Sequence, residues 1–164
     1  MNIEQLTTLK AAILAETDAD FGAARTAGNN SQMLVWFNEP ASPKFVVWRK
    51  QVSREELEED DAFNWTVVDN LSTGSKYRIW EWMFGSKGYI NPSKANIRAG
   101  IAATWVGNAQ LLAVRAMVLA KCKRAATKAE KLFATGTGST ESPAVMDFEG
   151  QVSIDDIRAA VALG

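Results

Sequence analysis

The sequence has no histidine and only one cysteine among its 164 residues. The missing imidazole excludes Ser-His and Cys-His nucleophile pairs and His-ligated zinc, iron or copper sites. The single thiol, Cys122, excludes an internal disulfide, and its apolar, alanine-containing surroundings are typical of a small core residue. We therefore expect no cofactor and no metal site, in a protein that resides in a reducing compartment.

Long hydrophobic runs are also missing. No window contains the roughly 20 apolar residues that cross a bilayer, and the N-terminal stretch has neither a basic leader nor a sustained apolar segment. The length fits one domain, and a hydrophobic fraction of 47% with 23% charged residues is that of an ordinary globular protein. We expect a protein that is made in the cytoplasm, is not exported and has no membrane partner.

Tryptophan, in contrast, is abundant. The six tryptophans are Trp36, Trp48, Trp65, Trp80, Trp82 and Trp105. Large aromatic side chains build protein cores, and Trp is also the residue most enriched at interface hot spots. The composition alone leaves both roles open.

Apolar residues recur at steps of three and four over most of the chain, which predicts helices. Three short helices are expected before residue 40, the second capped by Asp18, and later helices are expected to begin at Ser53 and at Asn108. Residues 43–52 are ambiguous, because their β-branched and aromatic side chains suit a strand whereas Pro43 suits the first turn of a helix. We expect a helix there.

The longest periodic segment covers residues 109–134 and contains neither Gly nor Pro. A single helix of that extent would be roughly 39 Å long. The sequence therefore predicts a mainly α protein, a small helical bundle around one long helix.

The composition changes after residue 134. The stretch TGTGSTESP is typical of a flexible connector, residues 145–148 alternate as in a short strand, and Ser153 is a candidate cap for a last short helix. The predicted division is an α-helical body, 1–134, and an extended C-terminal arm, 135–164. The apolar anchors predicted to dock this arm on a partner are Val145, Met146, Phe148, Val152 and Ile154.

Charge is segregated along the chain although the total is only −1. Residues 1–85 carry a net charge of −5, residues 86–134 carry +8, and residues 135–164 carry −4. The candidate acidic interface residues are Glu55, Glu56, Glu58, Glu59, Asp60 and Asp61, and the candidate basic ones are Lys121, Lys123, Arg124, Lys128 and Lys131. Such blocks fit pairing within one subunit, contact between identical subunits, or contact with nucleic acid.

Motifs of catalysis are not found. The Gly-Ser-Lys tripeptides at residues 74–76 and 85–87 reverse the order that a phosphate-binding loop needs, and Gly136 with Gly138 follows a predicted helix instead of a strand. The carboxylates at residues 55–61 lie on one contiguous stretch, whereas a two-metal site draws them from separate elements. We expect no enzymatic activity.

One resemblance rests on longer stretches of sequence. Residues 77–107 (YRIWEWMFGSKGYINPSKANIRAGIAATWVG), Cys122 to Arg124, and the segment LFATGTGSTESPAVMDFEG resemble small proteins encoded in the structural gene clusters of tailed bacteriophages. Among the roles of such proteins, the best fit is the head-to-tail connector, or adaptor, which this chain resembles in its predicted long central helix and C-terminal arm.

The resemblance implies a virion protein at the head-tail interface, assembled in the host cytoplasm. Its implied partners are copies of itself in a ring of roughly twelve, the portal protein, a further neck or tail-completion protein, and DNA that passes through the channel without sequence-specific binding. The acidic stretch of one subunit would then meet the basic stretch of the next. The alternative is a DNA-binding packaging or head-completion protein that uses the basic segment 109–134, although a pI near 5.6 argues against free-standing DNA binding.

Overall fold

The computed structural model describes residues 1–69 and 75–163. Within them the chain is 56% helical, which confirms the predicted mainly α class. The α-helices are α1 (Ile3–Ala15), α2 (Ala19–Thr26), α3 (Asn30–Asn38), α4 (Arg54–Glu58), α5 (Trp65–Asp69), α6 (Ser75–Phe84), α7 (Ala95–Thr104), α8 (Ala109–Lys121), α9 (Lys128–Leu132) and α10 (Ile154–Ala162). A 3₁₀ turn follows α6 at Gly85–Lys87. In the described ranges, no helix combines the length and the apolar character that a bilayer crossing requires.

The strands are short and pair in twos. They are β1 (Val46–Trp48), β2 (Val52–Ser53), β3 (Tyr89–Ile90), β4 (Lys123–Ala125), β5 (Ala134–Thr135) and β6 (Val145–Met146). β1 pairs with β4, β2 pairs antiparallel with β3 with Val52 opposite Ile90, and β5 pairs antiparallel with β6 with Ala134 opposite Met146.

Two compact units make up the chain. We call Met1–Val47 with Ala125–Gly164 the terminal unit, and Trp48–Arg124 the central unit. The terminal unit contains α1–α3, α9 and α10, and the central unit contains α4–α8.

Local caps set the helix starts as the sequence predicts. The side chain of Asp18 accepts the Phe21 N–H at the start of α2, and that of Ser53 accepts the Glu56 N–H at the start of α4. Asn108 caps α8, and Ser153 caps α10 in a reciprocal pair with Asp156. These oxygens satisfy backbone donors that a helix N-terminus otherwise leaves unpaired.

The core of the terminal unit joins the two ends of the sequence. Its fully buried side chains include Leu9 and Ile13 of α1, Phe21 of α2, Met33 and Phe37 of α3, and Ile157 and Ala160 of α10. The Phe21 and Phe37 rings meet edge to face with centroids 5.6 Å apart. The C-terminal helix is therefore a core element of this unit.

The helix expected over residues 43–52 is wrong, because β1 and β2 lie there. The Val46 N–H donates to the Gly138 carbonyl at 2.7 Å, and the Val46 carbonyl accepts the Ala144 N–H at 2.9 Å. These partners are almost a hundred residues away along the chain. They satisfy the extended backbone, which suits the β-branched side chains of Val46 and Val47.

The single long helix expected over residues 109–134 is not found. Helix α8 ends at Lys121, the chain continues as β4, and α9 begins after a new cap at Thr127. The Cys122 carbonyl accepts the Arg49 N–H at 2.9 Å, and the Ala126 N–H donates to the Phe45 carbonyl at 2.9 Å. Extended pairing with sequence-distant backbone therefore replaces about one turn of helix here.

Much of the segment 135–163 packs into the terminal unit, which differs from the extended arm predicted over 135–164. Met146 and Val152 are buried, and the Val152 backbone exchanges hydrogen bonds with the Asn38 side chain at 2.9 and 3.0 Å. One carboxylate oxygen of buried Glu130 accepts the Gly150 N–H at 2.9 Å. The predicted boundary between residues 134 and 135 thus lies inside the terminal unit, because the apolar residues beyond it are needed to complete that core.

Candidate functional site

An open acidic groove of about 930 Å³ lies in the central unit. We define the acidic groove by the side chains of Glu55, Glu58, Glu59, Asp60, Asp61, Phe63 and Trp65, which line it together with Ser53, Arg54 and Gly88. The capped start of α4 at Ser53 places the first carboxylates close to the positive end of a helix dipole.

Phe63 and Trp65, which line the groove, belong to a cluster of aromatic rings. The Phe63 ring contacts Trp65 at a centroid distance of 5.1 Å and Trp105 at 5.6 Å, and Trp80 lies 5.2 Å from Trp105. Trp80 and Trp105 are fully buried, whereas Trp65 remains 55% exposed. The groove thus combines the buried ring of Phe63, the exposed indole of Trp65 and several carboxylates.

Glu58 connects the wall of the groove to helix α6. Its Oε1 atom accepts a hydrogen bond from Arg54 Nε at 2.7 Å and another from the Trp80 indole N–H at 3.1 Å. Arg54 also pairs with Glu81 of α6 at 2.7 Å. Partial burial by itself would lower the pKa of Arg54. Hydrogen bonds to Glu58, Tyr77 and Glu81 outweigh this effect, so the pKa of Arg54 is raised. The guanidinium therefore stays charged and holds α4 against α6.

Two further carboxylates of the predicted acidic interface are paired inside the central unit. Asp60 Oδ2 lies 2.7 Å from Lys121 Nζ, and Glu56 forms a bidentate pair with Arg49. The hydrogen bond from Lys121 lowers the pKa of Asp60, and the same bond raises the pKa of Lys121. Within the described residues, pairing inside one subunit therefore accounts for Glu56, Glu58 and Asp60.

The remaining acidic candidates, Glu55, Glu59 and Asp61, are exposed along the groove. They extend the negative surface beyond the paired carboxylates. The sequence places them next to their paired neighbours, and only the i, i+4 spacing of Arg54 and Glu58 is a local signal of pairing.

The basic candidates are divided between the two units. In the central unit, Lys121 pairs with Asp60, and Lys123 lies in β4 with its Nζ 5.2 Å from the centre of the Trp48 ring. Arg98 lies over the same ring at 4.9 Å, and Arg124 is half-buried in β4. The basic stretch does not form one continuous helical face, because β4 interrupts it.

In the terminal unit, Lys128 pairs with Glu39 at 2.9 Å and lies 3.9 Å above the Trp36 ring. Lys131 Nζ lies 5.7 Å from the Phe45 ring. A second groove, of about 620 Å³, is lined by both lysines and by Glu16. Because this groove has both basic and acidic side chains, its charge favours neither an anionic nor a cationic ligand.

The candidate arm residues belong to the terminal unit. Met146 and Val152 are buried, and Val145, Phe148 and Ile154 are half-buried. The Phe148 ring packs on Phe133 at a centroid distance of 5.5 Å. Met146, Phe148 and Val152 therefore have intramolecular partners in the folded chain.

Helix α6 exposes a pair that the sequence analysis did not single out. Trp82 is 72% exposed, and the Arg78 guanidinium lies 5.8 Å from its ring centre. We call Arg78 and Trp82 the α6 ridge. Trp80 and Phe84 face inward from the same helix, as their helical spacing predicts. The i, i+4 spacing of Arg78 and Trp82, offset from the buried positions, was the available signal.

The thiol of Cys122 is buried, and desolvation raises its pKa to about 12. Such a thiol stays protonated at neutral pH and is a poor nucleophile. Across residues 1–69 and 75–163, no cluster of three or more His, Cys, Asp or Glu side chains is arranged to hold a metal ion.

No known protein family, curated protein or solved structure matches this chain. The terminal unit has 6 basic and 11 acidic residues, a net charge of −5, and the central unit has 12 basic and 8 acidic residues, a net charge of +4.

Proposed function

We propose that this protein is a non-enzymatic structural component that assembles with copies of itself, and that it serves as a head-to-tail connector of a tailed bacteriophage. The connector would form a ring between the portal and the next neck or tail protein and leave a channel for DNA. The resemblance of residues 77–107 to phage structural proteins supports this role.

The segregation of charge along the sequence is the observation on which the proposal chiefly rests: residues 1–85, which include the acidic stretch, carry −5, and residues 86–134 carry +8. In a head-to-tail ring each subunit presents two different faces, so acidic and basic surfaces of neighbouring copies can pair. Each copy then stays near neutral, as the total of −1 requires. Complementary potentials also favour the correct docking orientation over others.

Three of the six candidate carboxylates are already paired within the chain, so the proposed interface would use the other three. Glu56, Glu58 and Asp60 already have cationic partners within the chain. Breaking those pairs on assembly would offset part of the energy gained. We therefore propose Glu55, Glu59 and Asp61 as the acidic contacts between copies.

Quantitative mass spectrometry of the purified virus particle tests the proposed role. The result expected is a copy number comparable with that of the portal subunit, roughly twelve per particle. The protein's absence from particles that contain the portal would reject the connector proposal. Native mass spectrometry of the full-length protein would show independently whether it forms rings without its partners.

A DNA-binding packaging or head-completion protein is the second candidate. The specific observation in its favour is the net charge of +4 on the central unit, with Arg98 and Lys123 both next to Trp48. Binding through phosphates predicts an affinity for duplex DNA that falls steeply as salt increases. Charge reversal of Lys123 and Arg124 would reduce that slope. Absence of duplex binding at low salt would exclude this candidate.

A further inference from the structure

The α6 ridge is an exposed apolar surface on a firmly held helix. Trp82 is 72% exposed, whereas Trp80, two residues earlier, is 1% exposed. The Trp80 indole is bonded to Glu58, and Glu81 is paired with Arg54 at 2.7 Å. Helix α6 therefore presents Trp82 in a defined position, and a partner that covers it does not have to order the helix first.

The chemistry of the ridge is that of a binding hot spot. Trp, Tyr and Arg are enriched among hot-spot residues, the side chains whose truncation strongly weakens binding at protein interfaces. The Arg78 guanidinium over the Trp82 ring adds a positive charge to the apolar surface. Lys76 on the same helix and Lys87 in the turn after it have the same sign. A partner for this surface needs negative charge and an apolar or aromatic contact.

The acidic groove has both properties. Glu55, Glu59 and Asp61 provide exposed negative charge, and the half-exposed ring of Trp65 lies beside Phe63. At about 930 Å³ the groove lies in the size range of sites that enclose small ligands, so it has room for side chains of a partner. The groove is thus complementary to the ridge in charge and in aromatic character.

We infer that the α6 ridge of one copy docks in the acidic groove of a second copy. Arg78 would face Glu55, Glu59 and Asp61, and the Trp82 indole would pack against Trp65 and Phe63. This contact would join neighbouring copies of the proposed connector. It rests on the proposed function only for the formation of a ring. The contact itself needs two copies of the protein and no other partner.

Two single-surface variants of the full-length protein test the contact. Arg78→Glu with Trp82→Ser removes the ridge, and Glu55→Lys with Glu59→Lys reverses the groove. Sedimentation and native mass spectrometry measure self-association, and thermal unfolding checks that each variant is folded. Each variant is expected to weaken self-association by roughly tenfold or more, and added salt is expected to weaken the wild-type contact.

The matched controls change residues that belong to neither surface. Leu112→Ser removes an apolar side chain that is 45% exposed on α8, and Glu4→Lys reverses an exposed charge on α1. Both are expected to associate as the wild type does. If the controls weaken association as much as the ridge and groove variants do, the proposed surfaces are not the contact.

Mixing the two variants is the decisive measurement. The groove-reversed copy keeps its ridge and the ridge-deleted copy keeps its groove, so a mixture restores one contact that neither variant forms alone. A mixed pair in native mass spectrometry is the result expected. Failure of the mixture to associate, or a wild-type protein that stays monomeric at its highest soluble concentration, would overturn the inference.

The outcomes also separate this contact from the connector proposal. A wild-type ring that both variants leave intact would preserve the connector and reject the ridge-to-groove contact. A closed pair of two copies that both variants abolish would preserve the contact and reject the ring.

Discussion

The indole N–H of Trp80 donates a hydrogen bond of 3.1 Å to Glu58, and the acceptor is the same carboxylate oxygen that binds Arg54 Nε at 2.7 Å. This oxygen joins a buried tryptophan of α6 to the acidic helix α4. The Glu58 carboxylate thereby links α4 to α6, in addition to the ion pair between Arg54 and Glu81.

Removing that side chain is expected to destabilise the protein. Glu58→Ala leaves the buried Trp80 N–H without an acceptor and takes one partner from Arg54, so the free energy of unfolding should fall by about 2 kcal/mol. Urea denaturation measures the change. Glu59→Ala removes the exposed neighbouring carboxylate and should change stability by less than about 0.5 kcal/mol. Equal effects of the two substitutions would contradict the role of Glu58.

The Asp60–Lys121 pair predicts a defined pH dependence. The pKa of Asp60 is lowered in the folded protein. The ionised carboxylate therefore stabilises the fold at pH values above the ordinary Asp pKa of about 3.9, and this stabilisation is lost as the pH falls through the folded-state pKa. Because the pKa of Lys121 is raised, its contribution is present below about 10.4 and is lost as the pH rises through the folded-state pKa. Lys121→Met should therefore reduce the free energy of unfolding at pH 7 more than at pH 2.5.

Urea titrations of wild type and Lys121→Met at the two pH values check this expectation. Lys87→Met provides the control, since Lys87 is an exposed lysine of the same unit. Its effect should be the same at both pH values. A Lys121→Met effect that does not change with pH would show that the pair does not contribute in solution.

Gly138 is predicted to be required by its backbone conformation and by its surroundings. Its φ of +67° lies in the left-handed region, and a Cβ atom there would overlap the ring of Phe45. Gly138→Ala should cost about 2–4 kcal/mol, from strain and overpacking together. Gly22→Ala is the matched control, because Gly22 lies within α2 with open space around it. That substitution should stabilise the protein by about 0.5–1 kcal/mol, and thermal unfolding of both variants separates the two outcomes.

The packed C-terminal segment predicts opposite results for two positions of α10. Ile157 is fully buried, so Ile157→Ala should cost about 2–4 kcal/mol. Val161 is 50% exposed, so Val161→Ala should cost less than about 0.5 kcal/mol. Limited proteolysis of the full-length protein should spare residues 145–160 in the wild type and cut them in Ile157→Ala. Early cleavage of the wild type within this range would favour a flexible arm instead.

Local patterns in the sequence predicted the helix starts well. Asp18, Ser53 and Asn108 cap helices because a short polar side chain bonds to backbone only three residues away. These features depend on contacts inside a few residues, so one stretch of sequence contains all the information they need.

The break in the predicted long helix was not readable in the same way. Apolar and alanine residues continue at helical steps through residues 122–126, and helix propensity does not forbid a helix there. A signal for the restart was present, because Thr127 and Glu130 have the spacing of a capping box, and the structure forms one. The extended segment before it depends on Phe45 and Arg49, which lie far away along the chain.

The candidate site was also predictable only in its local features. Six carboxylates in residues 55–61 were recognisable as one acidic block. Which of them are paired depends on Arg49, Arg54 and Lys121, and only the folded chain brings Arg49 and Lys121 to this helix from other elements. The exposed remainder, and with it the acidic groove, is therefore a product of tertiary structure.

By itself the sequence determined the mainly α class, the capped helix starts, the absence of histidine chemistry and the segregation of charge, since each depends on composition or on neighbours within one helical turn. Only the tertiary structure decided that residues 109–134 break, that residues 145–160 complete a core, and that Trp82 and Trp65 remain exposed while Trp80 does not. Burial and backbone pairing depend on contacts between segments that are distant in sequence. A local sequence pattern therefore does not predict them.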